Sequence, residues 1–242
     1  MKRLTRLFWI SASLFIGAIA SASTGCLYAD GVRGDGNVVK EERSVSDFTK
    51  LDVSGAFTVY ITQGNKEELV VEADKNLMDM IETRVSGSTL KISTEGSIRD
   101  FDELNIYLTY KSLEEIEISG AVELTTENRM KTKDLELDVS GAAELDMSIE
   151  AELIYADFSG ASDVEFAGYT KEMNVDVSGA AKLDALELET ETVKIDVSGS
   201  ADAKVYVKEK LYADVSGAAN LRYKGDPKVN SDISGAGSLK PY

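Results

Sequence analysis

From about residue 34 onward, apolar and polar residues alternate with a period of two, and one short motif interrupts the alternation again and again. In Leu137-Asp138-Val139-Ser140-Gly141-Ala142-Ala143-Glu144-Leu145, Leu137 and Val139 fall on one face while Asp138 and Ser140 fall on the other, as in a strand with one buried and one wet side. Variants follow as Asp157-Phe158-Ser159-Gly160-Ala161, Asp176-Val177-Ser178-Gly179-Ala180, Asp196-Val197-Ser198-Gly199-Ser200, Asp214-Val215-Ser216-Gly217-Ala218 and Asp232-Ile233-Ser234-Gly235-Ala236. Two more stand upstream, Glu117-Ile118-Ser119-Gly120-Ala121 and Asp52-Val53-Ser54-Gly55-Ala56. From Ser119 the serines are 21, 19, 19, 20, 18 and 18 residues apart. A period this short leaves no room for a crossover helix between parallel strands, but it suits one coil of a parallel β-solenoid. The predicted fold is therefore all-β, with coils of about 18 to 21 residues. Each coil runs strand, Ser-Gly corner, strand, polar turn, with Gly55, Gly120, Gly141, Gly160, Gly179, Gly199, Gly217 and Gly235 at the corners. Glycine supplies the backbone freedom of a tight corner, and the small residue after it lets neighbouring coils approach.

The period fails between Gly55 and Gly120, a gap of 65 residues. Wider coils are expected there, with a short helical excursion over Asn76 to Glu82 and another rung at Leu104-Asn105-Ile106-Tyr107-Leu108-Thr109-Tyr110. Near the end of the chain, Pro241 lacks an N–H and suits a terminal edge strand.

The N-terminal 25 residues have a different texture. Lys2, Arg3 and Arg6 precede an apolar run from Leu7 to Ala20, the layout of an export signal. Two endings compete. Ala20-Ser21-Ala22 fits cleavage to a soluble product, whereas Ser23-Thr24-Gly25-Cys26 is an imperfect lipobox that would place a lipid on Cys26, the single cysteine. The domain reading is an export signal over 1–25, a lipidated tether over 26–33 and a solenoid over 34–242. No other stretch is long and apolar enough to span a bilayer. The chain of 242 residues carries a formal charge of −17; without residues 1–25 it has 23 basic against 43 acidic residues, a net −20. Such a field repels nucleic acid and anionic membrane surfaces, and leaves cations and basic surfaces as partners.

Chemistry is scarce. With no histidine and one cysteine, the chain lacks the general base of Ser-His-Asp and Cys-His sites and the ligands of nitrogen-rich zinc sites. Gly34-x-Gly36 is too little for a dinucleotide fingerprint, and no cofactor is implied. The sharpest candidate is the acidic column Asp138, Asp157, Asp176, Asp196, Asp214 and Asp232. On rungs about 4.8 Å apart its charges repel. Calcium between rungs would cancel that, but the calcium-binding nonapeptide signature is absent and exposed charges stay solvated at little cost. The column reads as a solvated face whose serines bond to one another and to water. Four residues before each serine stand Glu136, Tyr155, Asn174, Lys194, Tyr212 and Asn230, a discontinuous aromatic series read as core or surface filler rather than as a sugar platform. Paired carboxylates could cleave a glycosidic bond, but acids are too numerous for any pair to stand out.

The order of motifs carries a resemblance. Gly34-Asp35-Gly36-Asn37, Tyr60-Ile61-Thr62-Gln63-Gly64, Glu72-Ala73-Asp74-Lys75-Asn76-Leu77 and then the Ser-Gly-Ala corners resemble the exported bacterial domains called head GIN domains, or auto-transporter adhesins, from about Gly34 to the C-terminus. The resemblance implies a single-stranded right-handed parallel β-helix, often on a lipoprotein, and supplies no catalytic residues. The function expected is a non-enzymatic cell-envelope β-solenoid, an adhesin or surface-binding lipoprotein held to a membrane through its N-terminal lipid, with an extracellular protein or polysaccharide as ligand. A polysaccharide lyase or glycoside hydrolase built on a β-helix is the alternative.

Overall fold

Period-two alternation becomes extended strand. The computed structural model describes residues 31–242, so the export signal and Cys26 lie outside the described residues. From Glu144 to Val215 each coil is one long strand: Glu144–Phe158, Asp163–Val177, Lys182–Val197 and Asp202–Val215. Each lies parallel to the next and pairs along most of its length. One serine-to-serine step is thus one turn of a parallel β-solenoid, which has about seven turns of about 20 residues.

The inward residues stack in columns. Leu145 lies in register with Val164, Leu183, Ala203 and Leu221, and Phe158 with Val177, Val197 and Val215; all are buried. Each large aliphatic side chain so buried contributes about 1.5–3 kcal/mol. Phe158 and Phe166 meet with ring centroids 5.9 Å apart at 59°, a tilted arrangement that aromatic pairs favour.

At the predicted corners the hydrogen-bond ladder does not break. Ala161 N donates to Gly141 O at 2.8 Å, Ala180 N to Gly160 O at 2.9 Å and Ser200 N to Gly179 O at 2.8 Å. Gly179 sits at φ +76°, and a Cβ there would lie 2.7 Å from Gly160 O. Both the left-handed backbone and the close approach of the coil beneath require glycine. The corner serines do not bond to one another as expected. Instead Ser140, Ser159 and Ser178 direct Oγ at the carbonyls of Ile118, Val139 and Phe158 on the preceding rung, at 3.5, 3.3 and 3.5 Å. Just inside the corner, Ala143, Ser162, Ala181, Ala201 and Ala219 form a buried column of small residues. Ser162 Oγ has no hydrogen-bond partner there.

The break in the period is not a set of wider coils. The strand Lys50–Gln63 pairs directly with Glu115–Thr126, so Gly55 and Gly120 are neighbours in space. The residues between them cross to the other side of Lys50–Gln63, where Thr89–Thr94 and Leu104–Tyr110 pair parallel to it. Leu104–Tyr110 is the expected rung, though it precedes Lys50–Gln63 in space while following it in sequence. Antiparallel pairing completes this end: Val38–Arg43 on Glu68–Asp74, Glu68–Asp74 on Leu104–Tyr110, and Ile81–Ser86 on Thr89–Thr94. The helical excursion is a 3-10 helix over Lys75–Met80.

Two motifs far apart in sequence form one clamp in this cap. Asp74, fully buried, accepts hydrogen bonds from Gly36 N at 2.6 Å and Asp102 N at 2.9 Å. Asn76 accepts from Asp35 N at 3.0 Å and donates to Arg33 O at 2.7 Å. Val32–Arg33 pairs in parallel with Ile98–Asp100.

Candidate functional site

The strand before each corner turns its polar side outward, and strict register aligns that side from coil to coil. Asp138, Asp157, Asp176, Asp196, Asp214 and Asp232 occupy one column. Pairing extends it upward through Glu117 and Asp52 to Lys91. Lys91 Nζ neutralises Asp52 at 2.6 Å. Below that the column has no such relief: among the described residues, none of the six aspartates takes part in an ion pair.

The strand after the corner answers the same problem differently. Some of its outward acids are matched across rungs, Asp163 with Lys182 at 3.4 Å, Asp184 with Lys204 at 2.7 Å, and Asp202 with Asn220 Nδ2 at 2.9 Å, while Glu123, Glu144 and Asp163 stack in register as acids. Lysines thus relieve part of the post-corner face, while like charges stack on both faces. The carboxyls of Asp138 and Asp176 are held above the usual aspartate range, first by partial burial and then by neighbouring charge, from Asp157 for Asp138 and from Asp196 and Asp157 for Asp176.

Beside the aspartates runs the column Glu136, Tyr155, Asn174, Lys194, Tyr212 and Asn230. The two columns line a shallow open groove of about 590 Å³, with six carboxylates against the single ammonium of Lys194. Lys194 Nζ is itself held by Glu172 Oε1 at 2.6 Å. A second depression of about 750 Å³ shares Glu136 and Tyr155 with the first, and a smaller one shares Asp138 and Asp157. Tyr155 and Tyr212 are 50% and 41% exposed, so they are not core filler. They stand three rungs apart, about 14 Å at the inter-strand spacing. The sequence did carry a signal for them, since both share strand parity with the aspartates. The discontinuity of the tyrosines along the column concealed it.

The corner glycines form the adjoining edge and are structural. Among the described residues, no three carboxylates converge into an arrangement that holds a metal ion. A second cluster belongs to the cap: Tyr60 and Tyr107 stack at 5.2 Å, and Tyr107 OH donates to Glu72 at 2.7 Å. That hydrogen bond pushes the Tyr107 phenol up to about 12. It fastens two strands of the cap together and offers no open site.

The parallel coils present a wet, repetitive outer face, the kind of extended surface that stacked-repeat folds build. Residues 47–227 match the family model described as "Putative auto-transporter adhesin, head GIN domain", and the chain belongs to that family. Solved structures share the fold. A putative adhesin from Bacteroides fragilis NCTC 9343 superposes with a TM-score of 0.82 at 24% identity, covering 88% of this chain and 100% of that one. A putative lipid binding protein from Parabacteroides distasonis ATCC 8503 gives 0.72 at 20% identity, covering 87% and 99%. A putative adhesin from Parabacteroides merdae ATCC 43184 gives 0.68 at 18% identity, covering 88% and 100%. No curated protein matches the chain.

Proposed function

We propose that the protein is a non-enzymatic adhesin of the cell envelope, exported through its N-terminal signal, tethered by a lipid on Cys26, and displaying the solenoid as a rigid rod. The observation that carries this reading is the regularity of the coils. The same outward positions recur in register from Asp138 to Asp232, which builds a long face for multivalent contact rather than a single cleft. Membership of an adhesin family supports it. The coils from Glu144 to Val215 resemble one another, with no enlarged loop of the kind a carboxylate-based lyase or hydrolase would need to enclose a scissile bond.

Fractionation of expressing cells, followed by a surface-binding assay, tests the proposal. The wild type is expected in the membrane fraction with the solenoid outside the cytoplasm, and Cys26→Ser is expected to release it or leave it unprocessed, because acylation supplies most of the membrane affinity. A wild-type protein recovered from the cytoplasm contradicts export. Recovery as a soluble extracytoplasmic protein contradicts the lipid anchor alone. Turnover of a polysaccharide panel that vanishes on one carboxylate substitution contradicts the non-enzymatic reading.

A further inference from the structure

We infer that the C-terminal end of the solenoid docks a second copy of this chain tip to tip, the two Lys228–Ile233 strands pairing antiparallel about a two-fold axis. The inference rests on the adhesin reading and deepens it by naming the partner, a copy displayed on a facing surface.

The two ends of the rod are built differently. At one end Val38–Arg43 covers Glu68–Asp74, and the 3-10 helix buries Leu77 and Met78. At the other, the core columns run out into solvent. Val229 continues the column of Leu211, and Ile233 that of Val215. Leu211 and Val215 are buried, whereas Val229 and Ile233 are 40% and 45% exposed. Among the described residues, Lys228–Ile233 pairs with one strand, Asp202–Val215, and every residue of Lys228–Ile233 is exposed. Alternate N–H and C=O groups along it face away from that partner, a template for one more strand. Stacked-repeat proteins ordinarily close such an end with a polar cap. The companion strand of the last coil, Ser238–Pro241, ends on a residue without an N–H, which confines further pairing to Lys228–Ile233.

Charge selects the occupant. Without residues 1–25 the chain carries a net −20, yet residues 220–242 hold four basic against two acidic side chains. Copies that repel one another along their flanks are therefore least opposed at this tip. The edge strand is also self-complementary. Lys228, Asn230 and Asp232 share its outward side. Antiparallel pairing with Asn230 against Asn230 sets each Lys228 opposite the copy's Asp232, and opposite charges directly across such a pair attract. Among the described residues neither side chain takes part in an ion pair. The same register lays Val229 against the copy's Ser231 and keeps both on the inward side, so the core continues across the junction. A two-fold contact of this kind closes at two copies. It leaves the two caps, where Asp35 and Gly36 are clamped, at opposite ends of a doubled rod, so that each N-terminal segment leaves toward its own surface. One strand pair is a small contact; many rods on each surface multiply it.

Sedimentation velocity of the full chain in mild detergent over a concentration series, together with clustering of beads coated with it, tests the inference. A monomer–dimer equilibrium and clustered beads are expected. Lys228→Glu and Asp232→Lys each set like charges across the junction at both of its symmetric positions, and each is expected to weaken dimerisation by about tenfold and to disperse the beads. The two substitutions together restore opposite charges and are expected to restore dimer and clusters, which separates loss of the junction from loss of the fold. A chain that stays monomeric throughout the series, single variants that dimerise like the wild type, a double variant that remains monomeric, or assemblies that grow past two copies would each overturn the inference. Adhesion to cell surfaces retained by a monomeric chain would leave the adhesin reading standing, and loss of adhesion with the dimer intact would remove that reading alone.

Discussion

Ser162 interrupts a buried column of alanines with a hydroxyl that has no partner, 2% exposed. A buried hydroxyl without a hydrogen bond pays its desolvation and recovers nothing. Ser162→Ala, which restores the residue found at Ala143 and Ala181, is expected to stabilise the protein by up to about 1 kcal/mol in urea melts. Asp74 is the opposite case. Its buried carboxylate accepts two backbone N–H groups that otherwise have no partner in the clamp. Asp74→Ala strands both, and each hydrogen bond to a charged group is worth about 1.5–3 kcal/mol, so a loss of about 3 kcal/mol or more is expected. Hydrogen exchange at Gly36 and Asp102 should accelerate more than at the corner amides. Equal acceleration everywhere would mean that the clamp does not act locally.

At the scale of the coil, the sequence exposes most of the design because one residue type answers one geometric demand. The Asp-apolar-Ser-Gly string marks strand, parity and corner together, and the corner bonds follow it coil by coil. The second bend of the coil is less legible. Gly168 sits at φ +118° directly over Ile149 O, where a Cβ would overlap the carbonyl, yet its neighbours in register are Ile149 and Leu188. Gly225 repeats the arrangement over Val207 O, but the coils between do without a glycine there, so no regular repeat advertises the bend. The cap was illegible for a topological reason. Alternation shows that Lys50–Gln63 and Leu104–Tyr110 are strands, but not that the later one stacks beneath the earlier. Pairing between strands distant in sequence is set by tertiary packing, and period-two patterning carries no address for the partner. The pairing of Asp74 with Gly36 was hidden in the same way, although both belong to motifs visible in the sequence.

In the whole molecule, corner glycines are expected to hold the rod together, and the acidic face to be a surface laid over it that the fold does not need. A pair of urea melts, of Gly179→Val and of Asp176→Asn, each with and without added calcium, separates the two roles. Valine at Gly179 must adopt a left-handed backbone and push against Gly160 O, 2.7 Å from its Cβ. Strain and overlap together are expected to cost at least about 2 kcal/mol. Asparagine at Asp176 keeps the shape and removes one charge from a repelling column, so it is expected to be neutral or slightly stabilising, within about 0.5 kcal/mol, and indifferent to calcium. The contrary result is Asp176→Asn as the more damaging change, and only when calcium is present. That would make the acidic column a metal site on which the rod depends.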